Sequence, residues 1–465
     1  MATAVCGEES PTRSGSPKAY LSHSLPDPPP PGPTGPEIRK STRPIRLKSA
    51  VLCFERAPRG TVEAVGAQRA VQAHERVVDP ALDSSDQVMI SPRLELDLGV
   101  VEAAHRTFRD ALPESETAYA VKANPHPAVL ALLAEQGASV DLASRGELDA
   151  CLLAGVPPER MSWGNPLKKP SDVRAAVAAG VHRFTTDAAS DVDLLARLAP
   201  GADVTVRLGA DDTGSATPFS GKFGVAPDEA ADLLRRARDA GLRPHGLGFH
   251  PGSQQTDPAS WRRGIAAAAR AVESFGAPVA ELNVGGGFPT PHAAGPVPDL
   301  SGCADAIRAA LAEHADVPGV GSWRPHLVAE PGRALVAEAG VLVAEVVLVT
   351  ERAGRRWVYL DVGRYQGLAE TEGEMIVYRL RTPGYPTAAP SGHVVLAGPT
   401  CDGDDVLYRH ADVRLPLDLA AGDTVEFLGA GAYTSSYASV GFNGLPPLPT
   451  VIRDRATDDT PEETD

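Results

Sequence analysis

The chain has 465 residues, 43% of them hydrophobic and 22% charged, and its net charge is −16. That composition holds enough apolar material for a sizeable core and excludes a wholly disordered chain, while the length invites more than one domain. The acidic balance argues against a phosphate-backbone (nucleic-acid) binder, and the lack of any apolar run near the roughly 18 residues of a span argues against a membrane protein.

Residues 1–45 are rich in proline, with Pro28 to Pro31 in a row. They read as a disordered tail, because they cannot bury enough apolar surface to offset their ordering entropy. The opening MATAVCGEESPTRS lacks the charged and apolar regions of a secretory signal. Five scattered cysteines without a CxxC pair fit a reducing cytoplasm, and neither a disulfide framework nor a metal site. Residues 46–91 are strand-like in places and are expected to contribute to a β domain further along.

From 92 to 337 short apolar runs alternate with Ala/Leu-rich stretches of helical spacing. Strands are expected at AYAVKA from Ala118, ASVDL from Ala138, MSWGN from Met161, VHRFTT from Val181 and VTVRLG from Val204. PHGLGFH from Pro244, AELNVGG from Ala280 and HLVAEPG from His326 complete the set. Helical runs such as DEAADLLRRARDAG lie between them, several closing on the glycine that favours a helix end. An open doubly wound sheet gives the same alternation. The count of eight points to an α/β chain built on a TIM-like (β/α)8 barrel. From 338 to 452 the runs VLVAEVVLVTER, RRWVYLDVG, SGHVVLAG and DTVEFLG predict a C-terminal antiparallel β domain, and 453–465 form an acidic tail.

In a barrel, functional groups gather at the C-terminal strand ends. Lys122 closes the run AYAVK. Burial there is expected to lower the amine's pKa and make it a Schiff-base nucleophile, whereas a lone lysine more often snorkels to the surface. Gly285, Gly286 and Gly287 follow Leu-Asn-Val and let backbone N–H groups approach an anion, although a tight turn explains them equally. In AEPGR, Glu330 and Arg333 suit the ring nitrogen and the phosphate of pyridoxal phosphate; a surface ion pair is the alternative.

Together the motifs YAVKAN, VDLASRGEL, FHPGSQ, VGGGFP, AEPGR, GPTCDGDD and GAYTSSYASVGFNG, in that order, carry a resemblance from about Pro92 to Leu445. They resemble the pyridoxal-phosphate-dependent ornithine, lysine, diaminopimelate and biosynthetic arginine decarboxylases of the alanine-racemase-like fold. The resemblance implies that Lys122 holds the cofactor as an aldimine, with Asp141, Glu147 and Arg207 around it and His250 stacked on the ring. It makes Ser253, the glycine turn with Gly286 and Gly287, Arg333 and Tyr433 phosphate ligands, and Glu330 the partner of the pyridine nitrogen. Cys401 matches the proton donor to the carbon that loses carbon dioxide, and Asp402 the carboxylate meeting the substrate's distal ammonium. Because the family's cysteine loop enters the other subunit's barrel, a homodimer with shared sites is implied.

Diaminopimelate decarboxylases carry Cys-Glu-Ser where this chain has Cys401-Asp402-Gly403, and an arginine four residues before a tyrosine. Here that spacing reads Glu374 to Tyr378, so Asp402, Glu374 and Tyr378 are the expected substrate contacts. An acid attracts an ammonium and repels a carboxylate. With DVGRYQGLAET resembling bacterial ornithine/lysine decarboxylases, the expected reaction is ornithine to putrescine or lysine to cadaverine. Diaminopimelate, arginine, a specialised-metabolite precursor and a non-catalytic relative are the alternatives. Two departures leave room for an unusual basic substrate: Pro251 after the stacking histidine, and Arg379 where eukaryotic ornithine decarboxylases place an aspartate.

Overall fold

Eight short apolar strands close on themselves, each passing through a helix to its parallel neighbour. The computed structural model describes residues 90–453 other than Ser220, Ala294 and Pro296, all within the unit running from Arg76 to Asp465. The expected tails, 1–45 and 453–465, and the expected strand contribution of 46–91 lie outside the described residues apart from their inner ends.

Strand β1 (Arg93–Asp97) and helix α1 (Leu98–Ala111) come first, with the Asp97 carboxylate capping the helix by accepting from Gly99 N and Val100 N. The barrel strands are β2 (Ser115–Ala120), β3 (Ser139–Leu142), β4 (Met161–Trp163), β5 (Arg183–Thr186), β6 (Asp203–Arg207), β7 (Arg243–Gly248), β8 (Glu281–Asn283) and β9 (His326–Ala329). Their helices are α2 (Pro127–Glu135), α3 (Arg145–Leu153), α4 (Pro170–Ala179), α5 (Ala189–Leu198), α6 (Pro227–Asp239), α7 (Ala259–Phe275), α8 (Leu300–Glu313) and the short α9 (Arg333–Val336). Pairing runs in chain order, and β9 returns to β2 through Val328↔Glu116. The strands are covered on both faces, so they read as continuous apolar runs, and all four residues of β3 are buried. Trp163, Phe184, Leu247 and Trp261 sit in the core between strands and helices. Among the described residues no helix is long and apolar enough to cross a membrane.

The second layer is a sheet in the order β12 (Arg379–Arg381), β15 (Thr424–Leu428), β10 (Gly340–Arg352), β11 (Arg355–Leu360), β13 (Val395–Ala397) and β14 (Val406–Tyr408). Ala353 and Gly354, both left-handed, make the tight turn from β10 to β11. The sheet is mostly antiparallel, with β11 and β13 parallel. Strand β1, inside the stretch expected to be barrel, pairs instead with β10, Leu94 opposite Leu342, and in parallel with β16 (Thr450–Arg453). Leu94 and Leu96 share one face of the strand, yet Leu94 packs in the sheet's core and Leu96, next to α1, in the barrel's, so one strand fastens both.

Candidate active site

The candidate side chains rise mainly from β2, β3, β6, β7, β8 and β9, at the C-terminal ends of these barrel strands. Strand β2 stops at Ala120, and Lys122 stands in a single 3₁₀ turn, Val121–Ala123, just past it rather than on the strand's last residue. Its side chain is 43% exposed in the barrel mouth, with Nζ 4.0 Å from Asp141 Oδ2 on β3. Burial alone would lower its pKa as the sequence suggests, but Asp141, Tyr433 and Glu330 outweigh that and hold it above the usual lysine value. Asp141 is pushed well up, by burial first and then by Glu330. Its Oδ1 has no hydrogen-bond partner, and a Cβ on Gly164 would fall 1.9 Å from that atom, so glycine keeps the carboxylate's place open. Glu147 closes a local loop at the start of α3, where its Oε2 accepts from Ala143 N at 2.5 Å while Ser144 Oγ accepts from Glu147 N.

Arg207 ends β6, its guanidinium 5.3 Å from the Phe223 ring. His250 follows β7 and meets the Phe219 ring edge to face at 4.8 Å. Its Nδ1 accepts from Gly252 N at 3.1 Å, and burial with the charges of Lys122 and Arg207 drives its pKa well down. The imidazole is therefore neutral, with its proton on Nε2. Ser253 begins a short strand paired with Ser215–Thr217, and Gln255 Nε2 donates to the Pro251 carbonyl, using the one backbone group proline retains.

After β8 the glycine turn packs where no side chain fits. A Cβ on Gly286 would lie 2.5 Å from Glu330 O, and Gly287, at φ 84°, would drive one to 2.2 Å from Gly252 O. Asn283 braces this corner: Nδ2 donates to Glu330 Oε1 at 2.6 Å, and Oδ1 accepts from Gly285 N at 2.9 Å. Arg333, 6% exposed, lies 4.8 Å from the Tyr433 ring and pairs with Glu370 at 2.5 Å, while its Nε has no partner. The Tyr433 hydroxyl is pushed up, chiefly by burial. Its backbone, at φ 56°, donates from N to Ala123 O at 2.8 Å, and Asn124 Nδ2 donates to Gly431 O. Those two bonds seat the last sheet loop on the lysine turn.

These residues fit pyridoxal phosphate. The glycine turn offers close backbone approach, and Arg333 Nε and Asp141 Oδ1 are buried polar atoms awaiting partners. The neutral His250 supplies a flat face.

The expected substrate contacts divide. Cys401 and Asp402 are exposed on a sheet-domain loop; the Asp402 carboxylate accepts from Asp404 N at 3.0 Å and Tyr365 OH at 2.9 Å, which lowers its pKa. Tyr378 is buried with its hydroxyl unpartnered. Glu374 does not join them. It accepts from Arg409 N, His410 N and Ala411 N at 2.6–2.7 Å, because the turn through Gly373 (φ 60°) and Glu374 (φ 58°) swings it outward. The acid of that stretch that reaches the site is Glu370, which the sequence reading missed, as it missed Asn283 and Tyr365. Only the motif DVGRYQGLAET hinted at two of them. Arg379 pairs with Glu338 at 2.6 Å.

Comparison with known proteins gives the family. Residues 98–337 match the family model described as pyridoxal-dependent decarboxylase, pyridoxal binding domain. The chain is 36% identical to a lysine/ornithine decarboxylase of Selenomonas ruminantium over 78% of its own length and 89% of the relative's. It is 35% identical to a diaminopimelate decarboxylase of Actinosynnema pretiosum subsp. auranticum, over 77% and 83%. The Vibrio vulnificus lysine/ornithine decarboxylase solved with putrescine superposes with a TM-score of 0.68 at 32% identity, covering 78% of this chain and 94% of that one. The chain belongs to the pyridoxal-dependent decarboxylases, the fold type III family acting on basic amino acids. Its cofactor is pyridoxal 5′-phosphate.

Proposed function

We propose that this enzyme decarboxylates ornithine or lysine, releasing putrescine or cadaverine, in a cytoplasmic homodimer whose two sites are each completed by the other subunit's Cys401 loop. The observation carrying this reading is the exposed Cys401–Asp402 pair, held out from the sheet domain with the Asp402 carboxylate kept ionised. The lysine/ornithine relatives named above support it. When bound, the cofactor supplies an electron sink for the bond pair left by departing carbon dioxide.

The chain's own residues do the rest. Lys122 is the covalent anchor, and Asp141 stabilises its charged form in the free site. The Gly286–Gly287 backbone, Ser253, Arg333 and Tyr433 would hold the phosphate, and Glu330, fixed by Asn283, would pair with the pyridine nitrogen. His250 presents a neutral ring face, and Arg207 and Glu147 act with opposite sign on Asp141. Cys401 passes its Sγ proton to the substrate α-carbon, and Asp402 accepts the distal ammonium, while Tyr378 lies buried beside Glu370 and Arg333. Glu374 has no part in this scheme.

Amine products from a panel of ornithine, lysine, arginine and diaminopimelate test the reading, with Asp402→Ala beside wild type. The expected result is preference for ornithine or lysine, reduced about tenfold or more in kcat/KM in the variant, with cofactor retained. Preference for diaminopimelate, or an unchanged Asp402→Ala profile, overturns it.

A further inference from the structure

The loop that carries Cys401 is exposed yet braced from three sides. Asp405, 2% exposed, accepts from Arg364 N at 2.9 Å, Thr400 N at 3.1 Å and Thr400 Oγ1 at 2.7 Å. Tyr365 OH fixes Asp402, and its ring lies 4.6 Å from Phe442. The third brace is on the thiol itself. Asn443 Nδ2 donates to Cys401 Sγ at 3.4 Å, and the thiol donates in return to Asn443 Oδ1 at 3.8 Å. The nitrogen is the nearer head, and sulfur accepts weakly at such a distance.

Asn443 adopts φ 53°, between Gly441 at φ 81° and Gly444 at φ 73°. A left-handed non-glycine residue carries a backbone cost that asparagine tolerates better than most, and such costs gather where a side chain must be aimed. Here the side chain so aimed meets the cysteine sulfur.

We propose that Asn443 is a positioning residue for the Cys401 thiol: its amide N–H holds the sulfur at the shorter distance, and the longer S–H contact to Oδ1 yields its proton on delivery. The inference rests on the reading of Cys401 as proton donor. In that step the S–H bond breaks, a C–H bond forms at the carbon that lost carbon dioxide, and the sulfur keeps the electron pair as thiolate. The amide N–H faces that charge, and charge-assisted bonds are the stronger ones. If the proton goes to the cofactor's carbon instead, water releases an aldehyde and leaves the cofactor in its amine form.

Two variants test this without straining the loop. Asn443→Gly keeps the left-handed backbone at no steric cost, and Asn443→Asp keeps size but removes the N–H donor. Iodoacetamide labelling of the Cys401 peptide, read by mass in cofactor-free protein, should slow about fivefold in both, the order expected for one lost hydrogen bond. In the loaded enzyme the aldehyde share of product should rise by a similar factor, with KM and cofactor absorbance held. Wild-type labelling and product split in both variants overturn the proposal. So does a change that appears only with loss of cofactor or of the dimer, since that is a structural role. If Cys401→Ala keeps the wild-type product split, the proton-donor reading fails, and the labelling arm still reports the Asn443 contact separately.

Discussion

At Lys122 two local effects oppose each other, and the charges win. Burial disfavours the ammonium, yet Asp141, Tyr433 and Glu330 together keep its pKa above the ordinary lysine value. The cofactor attaches to the neutral amine, so Asp141 protects the charge of the empty site and slows loading at low pH. Asp141→Asn removes the largest of the supporting charges. The pH midpoint at which the visible cofactor absorbance develops should then move downward, read by titrating cofactor-free protein. A midpoint at or above wild type would mean that Asp141 does not set this balance.

At the scale of elements, the turn after β11 decides which acids matter. Gly373 and Glu374 are both left-handed, which leaves Glu370 facing Arg333 and turns Glu374 onto three amides of the 409–411 loop. Glu374→Ala should therefore leave substrate choice unchanged and lower stability by about 1 kcal/mol, the worth of partly exposed hydrogen bonds. Denaturant melts and the amine panel check the two halves of that expectation.

The barrel's floor, at the N-terminal strand ends, is a second element-scale device. Glu116 on β2 pairs with Arg183 on β5 at 3.1 Å and His326 on β9 at 2.9 Å. Burial alone would raise its pKa, but hydrogen bonds and charge from Ser139, Arg183 and His326 bring it down to about 2. A carboxylate whose folded pKa is depressed adds stability above its unfolded value, and that stability is lost as pH falls through the folded one. The window is pH 4.5 down to about 2, and solvent screening of this partly exposed cluster holds the loss to about 1 kcal/mol. Glu116→Gln should flatten the stability curve in that window; an unchanged acid limb would assign it to other carboxylates.

For the whole molecule, the question is where Cys401 meets a barrel. Within one chain Cys401 and Asp402 are exposed on the sheet domain, while Lys122 stands in the barrel mouth. If the sites are shared, mixing inactive Lys122→Ala and Cys401→Ala proteins creates hybrids with one intact site and one doubly altered site. Random exchange should recover about a quarter of wild-type activity. Subunit exchange confirmed by mass, with no activity regained, would mean that each chain completes its own site.

Much of this protein was determined by short-range sequence. The β–α alternation, the change to β-rich runs after Gly340 and the strand-end residues Lys122, Glu330 and Arg333 are legible because the signal and the structure it specifies lie a few residues apart. The tertiary structure decided what depends on direction or on distant partners. Spacing from a tyrosine singled out Glu374, but two left-handed residues rotated it away and left Glu370 inside. Strand β1 reads as the start of the barrel, yet its Leu94 and Leu96 pack in different cores. The lysine's charge followed not from its strand-end position but from the carboxylates that β3 and the segment after β9 bring to it. A sequence specifies which groups are present in order along the chain. Their orientation and mutual field exist only once the backbone has closed, because contacts act over a few ångströms and charges are screened beyond about 10 Å.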